Sequence, residues 1–357
     1  MEMNTYKKTW RQLLLSAVTF FTCQSSLAQI PSEGMSYYLP QTEMVFTFLV
    51  EKTSFTPGEL AEYAQRYLKA RDAGTAPLTT YRIVDIKMNT IGRPDTTKHF
   101  TLALDKRFSI SELHRTDYGV LTAINTTNPY QEPEAIPFQP AAKPKPLNPR
   151  DYMNEDILTA TSKAKMAQLI AQDIYDIRDS RNQLQRGLAE FMPKDGEQLR
   201  IMLNGLATQE QALSQLFVGT TEIDTTEVTL VYVPRTVTDR EVFFRFSKYY
   251  GMTDADDLGG TPYYISVTQE QMVDNNSLPQ DPKAMKDNIN LYVNTPGKIK
   301  VSLTTDERTL KNYTFYAAQF GNIENLSGAL FGKKQTSKIV LNPITGGIES
   351  ITEELLK

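Results

Sequence analysis

Residues 42–50, Thr-Glu-Met-Val-Phe-Thr-Phe-Leu-Val, decide the fold of this chain. Every residue from 44 to 50 except Thr47 is apolar. Successive side chains of a strand point to opposite faces, so both faces of an extended chain would be apolar here. A short apolar run of this kind is typical of a strand that is covered on both sides. We therefore expect a central strand at this position and a sheet built around it.

The rest of the N-terminal part also favours strands. Pro57 and Gly58 end the first strand, and apolar residues at helical spacing follow them. Residues 92–95, Gly-Arg-Pro-Asp, are turn formers, so we expect them to join two strands as a hairpin. The other predicted elements are a helix over 60–68 and strands over 84–88, 100–104 and 119–124. These elements predict an N-terminal α+β domain over residues 37–128.

A proline-rich segment follows this domain. Seven prolines fall between Pro129 and Pro149, among alanine, lysine and glutamine. Proline at that density fixes φ and removes backbone donors, which predicts an extended, semi-rigid linker over residues 129–150. The alternative is a proline-rich ligand for the aromatic groove of a partner protein.

Residues 151–219 favour two helices joined by a tight turn. Apolar side chains recur at helical spacing from Met166 to Phe191 and again from Leu199 to Phe217. The turn formers at 193–196, Pro-Lys-Asp-Gly, separate the two runs and predict an antiparallel helical hairpin. We interpret both apolar stripes as packing faces rather than as a cofactor site.

Residues 220–351 are predicted to form a second α+β domain. A short helix is expected over 242–250, ended by Gly251. Residues 294–297, Asn-Thr-Pro-Gly, suit a type II turn between two strands. The other predicted strands cover 228–232, 263–267, 291–293, 299–303, 315–320, 339–341 and 347–351.

The two β-rich parts resemble each other. Residues 42–48 and 226–232 both begin with Thr-Glu and continue with an apolar strand pattern. Each is followed by a short predicted helix rich in aromatic residues, at 63–67 and at 246–250. We interpret this likeness as a distant duplication, while short matches of this kind also arise by chance. The predicted fold class is α+β, with two β-rich domains and a helical hairpin between them.

The first 28 residues have the pattern of an export signal. Basic residues precede an apolar run over 13–21, and Ser26-Leu27-Ala28 is the small-x-small pattern that signal peptidase recognises. The run is too short to span a bilayer as a helix. A rival interpretation makes Cys23 a lipoprotein acceptor, but Thr22 is an unfavourable residue before it. We expect cleavage after Ala28 and a periplasmic or outer-membrane-associated protein.

Composition then excludes several kinds of chemistry. Cleavage after Ala28 removes Cys23 and Trp10, the only cysteine and the only tryptophan of the chain. A chain without thiols has no disulfide, zinc–thiolate site, iron–sulfur cluster or cysteine nucleophile. Loss of three basic residues and one acidic residue moves the net charge from −4 to −6, so we expect no nucleic-acid partner. No later segment approaches the ~20 apolar residues of a transmembrane helix.

The inventory of reactive side chains is small. His99 and His114 are the only histidines, and they form no recognisable metal-ligand spacing. Residues 254–259 match a calcium loop only in part, because Leu258 occupies a ligand position; we interpret them as a solvated acidic loop. No nucleophile elbow, phosphate loop or dinucleotide fingerprint occurs. We therefore assign no catalytic residue, no metal ligand and no cofactor.

Several short motifs resemble a known family. They are Tyr-Leu-Pro-Gln-Thr at 38–42, Thr-Pro-Gly at 56–58, Gly-Val-Leu at 119–121, Gln-Phe-Gly at 319–321 and Asn-Pro-x-Thr-Gly at 342–346. Together they resemble the domain of unknown function 4831 family, exported proteins of Bacteroides-type bacteria, over nearly the whole mature chain. The resemblance implies a Gram-negative envelope and carries no catalytic residues.

These observations predict a non-catalytic envelope protein that binds a protein or glycan partner. The alternative is a hydrolase that acts on polysaccharide or peptidoglycan through paired carboxylates, a geometry that one sequence does not show. If the β-rich parts are copies, the groove where they meet is the expected ligand site. Leucines exposed on the helical hairpin would instead place the partner there.

Overall fold

The protein is described by a computed structural model that covers residues 34–103, 107–132, 138–270 and 288–355. The predicted signal peptide, residues 1–28, lies outside the described residues. The strands are β1 (Gly34–Thr56), β2 (Leu78–Ala103), β3 (Leu113–Arg115), β4 (Leu121–Ile124), β5 (Thr220–Tyr232), β6 (Thr238–Ser247), β7 (Gly251–Thr253), β8 (Thr261–Gln269), β9 (Asn288–Thr304), β10 (Thr309–Ser327), β11 (Gln335–Leu341) and β12 (Ile348–Leu355). The helices are α1 (Ala61–Tyr67), α2 (Glu155–Leu158), α3 (Lys163–Arg186) and α4 (Gly196–Val218), with 3-10 turns at Pro149–Tyr152 and Gly328–Phe331. This β-rich mixture confirms the α+β class.

The predicted central strand is confirmed. β1 lies between β2 and β5 in a three-stranded antiparallel sheet, which we call the first sheet. Met44, Phe46 and Phe48 are fully buried on its inner face, whereas Val45 and Leu49 are half-buried on its outer face. Both faces of β1 therefore lie against other parts of the protein, which explains why the strand is apolar on both.

Two further antiparallel sheets complete the β structure. The second sheet has the order β10-β9-β8-β6-β7 and packs its apolar face on the inner face of the first. The third sheet has the order β12-β11-β4-β3 and shares a core with the first part of β1 and of β9. α1, α3 and α4 enclose a third core around Ile170, Ile174 and Phe217. β1 contributes side chains to the first two cores, and α1, which follows β1 in the chain, contributes side chains to the third. β1 therefore connects the three cores.

The duplication is not confirmed. β5 pairs directly with β1, from Met44 opposite Tyr232 to Thr56 opposite Thr220, so the two supposed copies of this strand are neighbours in one sheet. The helix predicted over 242–250 is also wrong. Residues 238–247 form β6, because Phe244 and Phe246 alternate inward to the core that β1 also lines. The domain boundaries at 37–128 and 220–351 stay predictions, and residues from both ranges share this first core.

The two predicted turns that contain glycine and proline, at 92–95 and 294–297, are wrong for one common reason. Residues 92–95 lie within β2, and residues 294–297 lie within β9. At each place one strand of a pair has extra residues: 95–98 face the single residue Leu39, and 318–321 face Pro296. These are bulges in long strands, where glycine and proline permit bending without ending the strand.

The helical hairpin is confirmed. Asp195 caps α4 by accepting a hydrogen bond from the backbone N–H of Gln198 at 2.7 Å. α3 and α4 are joined by ion pairs from Arg178 and Arg181 to Glu210, at 2.6 and 2.5 Å. α3 ends earlier than its apolar stripe predicted, because Gly187 adopts a left-handed conformation with φ of 71°. In the described part of the chain, no helix is both long and apolar enough to cross a membrane.

In the described part of the proline-rich segment, residues 129–132 and 138–148 have neither helix nor strand, and residues 149–150 begin a 3-10 turn. The segment lies against the first sheet rather than apart from it. Phe138 lines a small cavity with Leu49 and Glu227 on the outer face of that sheet. Lys143 forms an ion pair with Asp224 of β5, and the carbonyl of Leu147 accepts a hydrogen bond from Gln215 of α4 at 2.9 Å. The segment thus connects the outer face of the sheet to the helices.

Candidate binding groove

Three of the motifs that carry the family resemblance, at 38–42, 319–321 and 342–346, build a junction between the sheets. Thr42 of β1 is fully buried, and Gln319 of β10 pairs with its backbone through both amide atoms, at 2.9 and 2.8 Å. The hydroxyl of Thr42 donates to the carbonyl of Ile344 at 3.0 Å and accepts from the backbone N–H of Ala318 at 3.0 Å. The backbone N–H, the carbonyl and the hydroxyl of Thr42 are therefore all hydrogen-bonded to other segments of the chain.

The loop at 342–346 completes this junction. The side-chain oxygen of Asn342 accepts hydrogen bonds from the backbone N–H groups of Ile344 and Thr345, both at 2.9 Å. A Cβ added to Gly92 would lie 2.0 Å from the carbonyl oxygen of Pro343, so only glycine fits where β2 crosses the loop. The motifs hold the fold together, and they do not converge on a reactive group.

A groove of about 370 Å³ lies where the first and second sheets meet. Its walls come from the inner face of the first sheet and from β6, β7 and the residues that follow β7. Most of its lining is apolar or aromatic. The lining residues are Val50, Tyr81, Thr226, Val228, Leu230, Phe243, Phe244, Tyr250, Gly251, Met252, Thr253, Asp254 and Ala255.

Local geometry fixes the hairpin of β6 and β7 beside β2. The backbone N–H of Tyr81 donates to the carbonyl of Lys248 at 2.7 Å. Gly251 has φ of 80°, and an added Cβ would lie 3.3 Å from the Tyr81 ring, so the chain reverses closely against that ring. Tyr250, in the turn before Gly251, is 76% exposed at the rim of the groove. The groove is therefore preformed, with one aromatic side chain projecting at its mouth.

The charge of the groove is negative. Asp254 is the only ionisable acid among its lining residues in the described part of the chain. Two further aspartates, Asp256 and Asp257, follow in the same exposed loop. This loop matches a calcium site only in part, and a side chain of the protein holds it. Arg245 donates to the carbonyl oxygens of Ala255 at 2.8 Å and of Gly260 at 3.1 Å, so a guanidinium already engages the loop.

The two histidines do not meet. His99 packs against the ring of Tyr38, with ring centroids 4.6 Å apart. His114 lies on β3, 3.3 Å from a carboxylate oxygen of Glu112. Neither histidine lines the groove. Over the residues that the structure describes, no group of three or more histidine, cysteine, aspartate or glutamate side chains is placed to hold a metal ion.

The tip of the helical hairpin is a second exposed apolar surface. Leu188 is 71% exposed and Phe191 is 81% exposed in the turn between the helices. Met192, Ile201 and Met202 beside them are also exposed. The base of the hairpin packs on α1. The exposed Leu188 makes the tip the place on the hairpin where a partner could dock.

The groove does not follow from the sequence pattern alone, because that pattern favours a helix over residues 242–250, one wall of the groove. The aromatic residues of this stretch fit a helical spacing and an alternating one almost equally well. The alternation of Val242, Phe244 and Phe246 with Arg245 was the signal for a strand. It would have placed Phe244 inward, but the position of Tyr81 opposite this hairpin depends on contacts distant in sequence.

Comparison with known proteins identifies the family. The family model described as Domain of unknown function (DUF4831) matches residues 33–349. No curated protein and no solved structure matches the chain. The matched range contains the first and second sheets, the third sheet up to the first residues of β12, the helical hairpin and all the motifs that build the junction. The chain therefore belongs to the domain of unknown function 4831 family.

Proposed function

We propose that this protein is an exported, non-catalytic binding protein of the cell envelope, which holds a protein or glycan partner in the groove between its first and second sheets. The observation that carries the proposal is the groove itself. It is concave and preformed, and it is lined by four aromatic rings and several aliphatic side chains. Sites of this size, with a mostly apolar lining and few polar groups, are the usual places where proteins bind ligands.

The envelope location rests on the sequence. Residues 1–28 have the basic, apolar and small-residue regions of an export signal, and the family resemblance implies a Gram-negative host. The protein would then act in the periplasm or at the outer membrane. The aromatic groove suits an apolar stretch of polypeptide or the apolar faces of sugar rings.

The alternative, a hydrolase with paired carboxylates, has less support from the groove. Such enzymes place two carboxyl groups about 5 to 10 Å apart across the bond that breaks. Asp254 is the only acid that lines the groove among the described residues. A two-carboxylate reaction centre would therefore need to lie on another surface of the protein.

The absence of tryptophan after residue 28 permits a direct test. Tyr250→Trp places a single tryptophan at the rim of the groove, and Phe191→Trp places one at the hairpin tip, at side chains of similar exposure. Each variant, prepared without residues 1–28, is titrated with glycan, peptidoglycan-fragment and peptide libraries. We expect a saturable change in emission from Tyr250→Trp and none from Phe191→Trp.

Each other outcome contradicts the proposal in a defined way. A response from Phe191→Trp alone would move the partner to the hairpin tip. Turnover of a glycan, abolished by one aspartate or glutamate substitution, would replace binding with hydrolysis. If no library changes the emission of either variant, the groove is excluded as a binding site for these ligand classes.

A further inference from the structure

Among the described residues, one long strand beside the groove has an edge without a strand partner. β5 is the last strand of the first sheet and pairs only with β1 among the described strands. No other backbone hydrogen bond of β5 is present within the described part of the chain. In an antiparallel pair, half of the N–H and C=O groups point away from the partner strand. β5 therefore presents a row of unpaired donors and acceptors over its 13 residues.

The edge strand β5 forms part of the groove wall. Thr226, Val228 and Leu230 point to the inner face of the first sheet and also line the groove. A strand added beside β5 would have the same alternation, so every second side chain would point toward the same cavity. Edge-strand addition of this kind gains affinity from main-chain hydrogen bonds and specificity from pockets for alternate side chains. The structure offers both features at one place.

The charges at this edge select a basic strand. β5 carries Glu222, Asp224 and Glu227 and no lysine or arginine. Glu227 lies on the outer face of the first sheet, the face to which the side chains between the groove-facing ones would point. Within the chain, Lys143 of the extended proline-rich segment already pairs with Asp224, and this carboxylate raises the pKa of the lysine. An extended basic segment is thus the kind of polypeptide that this edge already contacts.

A second copy of β5 fits this edge poorly. Antiparallel pairing of two identical β5 strands would bring two sets of three acidic residues together without a basic residue on either strand. Like charges on paired strands destabilise the pair. The same repulsion protects an exposed edge from unwanted self-association.

We propose that the partner is an extended polypeptide segment that adds to β5 as a fourth strand, places alternate apolar side chains in the groove, and carries lysine or arginine between them. This inference deepens the proposed function and depends on the groove being the binding site. It names the partner as protein rather than glycan.

The test uses the exported protein and a defined probe, the peptide Lys-Val-Lys-Val-Lys-Val-Lys with blocked ends. Binding is followed by the emission of Tyr250→Trp. We expect the peptide with glutamate in place of lysine to bind more weakly. Single N-methylation along the peptide should weaken binding with a period of two, by about fivefold or more at each affected residue, because an edge strand donates from alternate amides only.

Protein variants and amide exchange provide independent measurements. Glu227→Gln should weaken binding of the lysine peptide, while Glu353→Gln, on the exposed edge strand β12, is the matched control and should leave it unchanged. Bound peptide should slow hydrogen exchange at alternate amides of 220–232. These readouts do not depend on disrupting the fold.

The outcomes separate this inference from the proposed function. If peptides change the Tyr250→Trp emission without the period of two and without protection of β5, strand addition is wrong and the groove remains the site. If only glycans change that emission, the partner class is wrong and the groove remains the site. If no ligand of any class changes it, the proposed function itself fails.

Discussion

Tyr37 shows how one side chain joins two long strands of this protein. It is almost fully buried, and its hydroxyl donates to the carbonyl of Tyr292 at 3.2 Å and accepts from the backbone N–H of Tyr292 at 2.7 Å. Burial raises the pKa of Tyr37, although the bond to Tyr292 opposes this effect. The phenol therefore satisfies two backbone groups of β9 from a position on β1.

We expect Tyr37→Phe to lower the free energy of unfolding by about 1–3 kcal/mol, because both backbone groups of Tyr292 lose their buried partner. Urea unfolding measures the change. Tyr316→Phe, at an exposed tyrosine of β10, is the control and should have little effect. Equal unfolding midpoints for the two variants would contradict this role of Tyr37.

The raised pKa of Tyr232 predicts that the folded protein loses stability at alkaline pH. Burial, followed by its 2.9 Å hydrogen bond to Glu241, raises the pKa of Tyr232 to about 12. An unfolded tyrosine ionises near ~10, so the unfolded chain releases this proton first. The stabilising contribution of protonated Tyr232 is fully present below pH ~10 and is lost as the pH rises toward 12. The free energy of unfolding therefore falls in this window.

We expect Tyr232→Phe to fall less steeply with pH than the unchanged protein, since phenylalanine has no proton to release. The measurement is urea unfolding at several pH values between 9 and 12, with phenolate absorbance recorded in parallel. Tyr263 and Tyr313, whose pKa values are also raised by burial, are present in both proteins and cancel in the comparison. Parallel curves would show that Tyr232 ionises alike in the folded and unfolded states.

At the scale of elements, α4 depends on the residue that precedes it, Asp195. The carboxylate of Asp195 satisfies a backbone donor that the helix itself leaves unpaired. We expect Asp195→Ala to destabilise the protein by about 0.5–2 kcal/mol, measured by urea unfolding with hydrogen exchange along α4. Lys194→Ala, one residue earlier and also exposed, serves as the control. A larger effect at Lys194 than at Asp195 would refute the cap.

The elements differ in how far local sequence determines them. Helices α3 and α4 follow from apolar residues at helical spacing and from Asp195 and Gly187 at their ends, which are local signals. The central strand follows from its two apolar faces. Residues 92–95 and 294–297 misled the prediction because their glycines and prolines serve the crossing of long strands. That crossing is made with the loop at 342–346, which lies far away in sequence.

The candidate groove is harder to predict than any of its elements. It has no motif, because its lining comes from β1, β2, β5 and the β6–β7 hairpin. Its shape depends on how two sheets pack. The prediction of a helix instead of a strand over 242–250 was enough to obscure one wall of the groove, which β6 forms.

At the scale of the whole molecule, processing of the N-terminus is the first expectation to test. We expect mass spectrometry of the exported protein to show a chain that begins at Gln29, because Ser26-Leu27-Ala28 is a signal-peptidase pattern. Its emission should come from tyrosine alone. A diacylglyceryl group on Cys23 would contradict cleavage after Ala28 and would attach the protein to a membrane leaflet.

The position of β1 at the centre of the first sheet has a consequence for the time course of folding. β1 is synthesised before all the other described strands, and it can pair with β2 once residue 103 has been made. Its second neighbour, β5, ends at Tyr232, and β4 obtains its partner β11 only near the end of synthesis. Pairings so distant in sequence slow folding and leave apolar strands exposed meanwhile. The nascent chain therefore carries its most apolar strand half-paired through much of its synthesis, the period in which protection by a chaperone matters most.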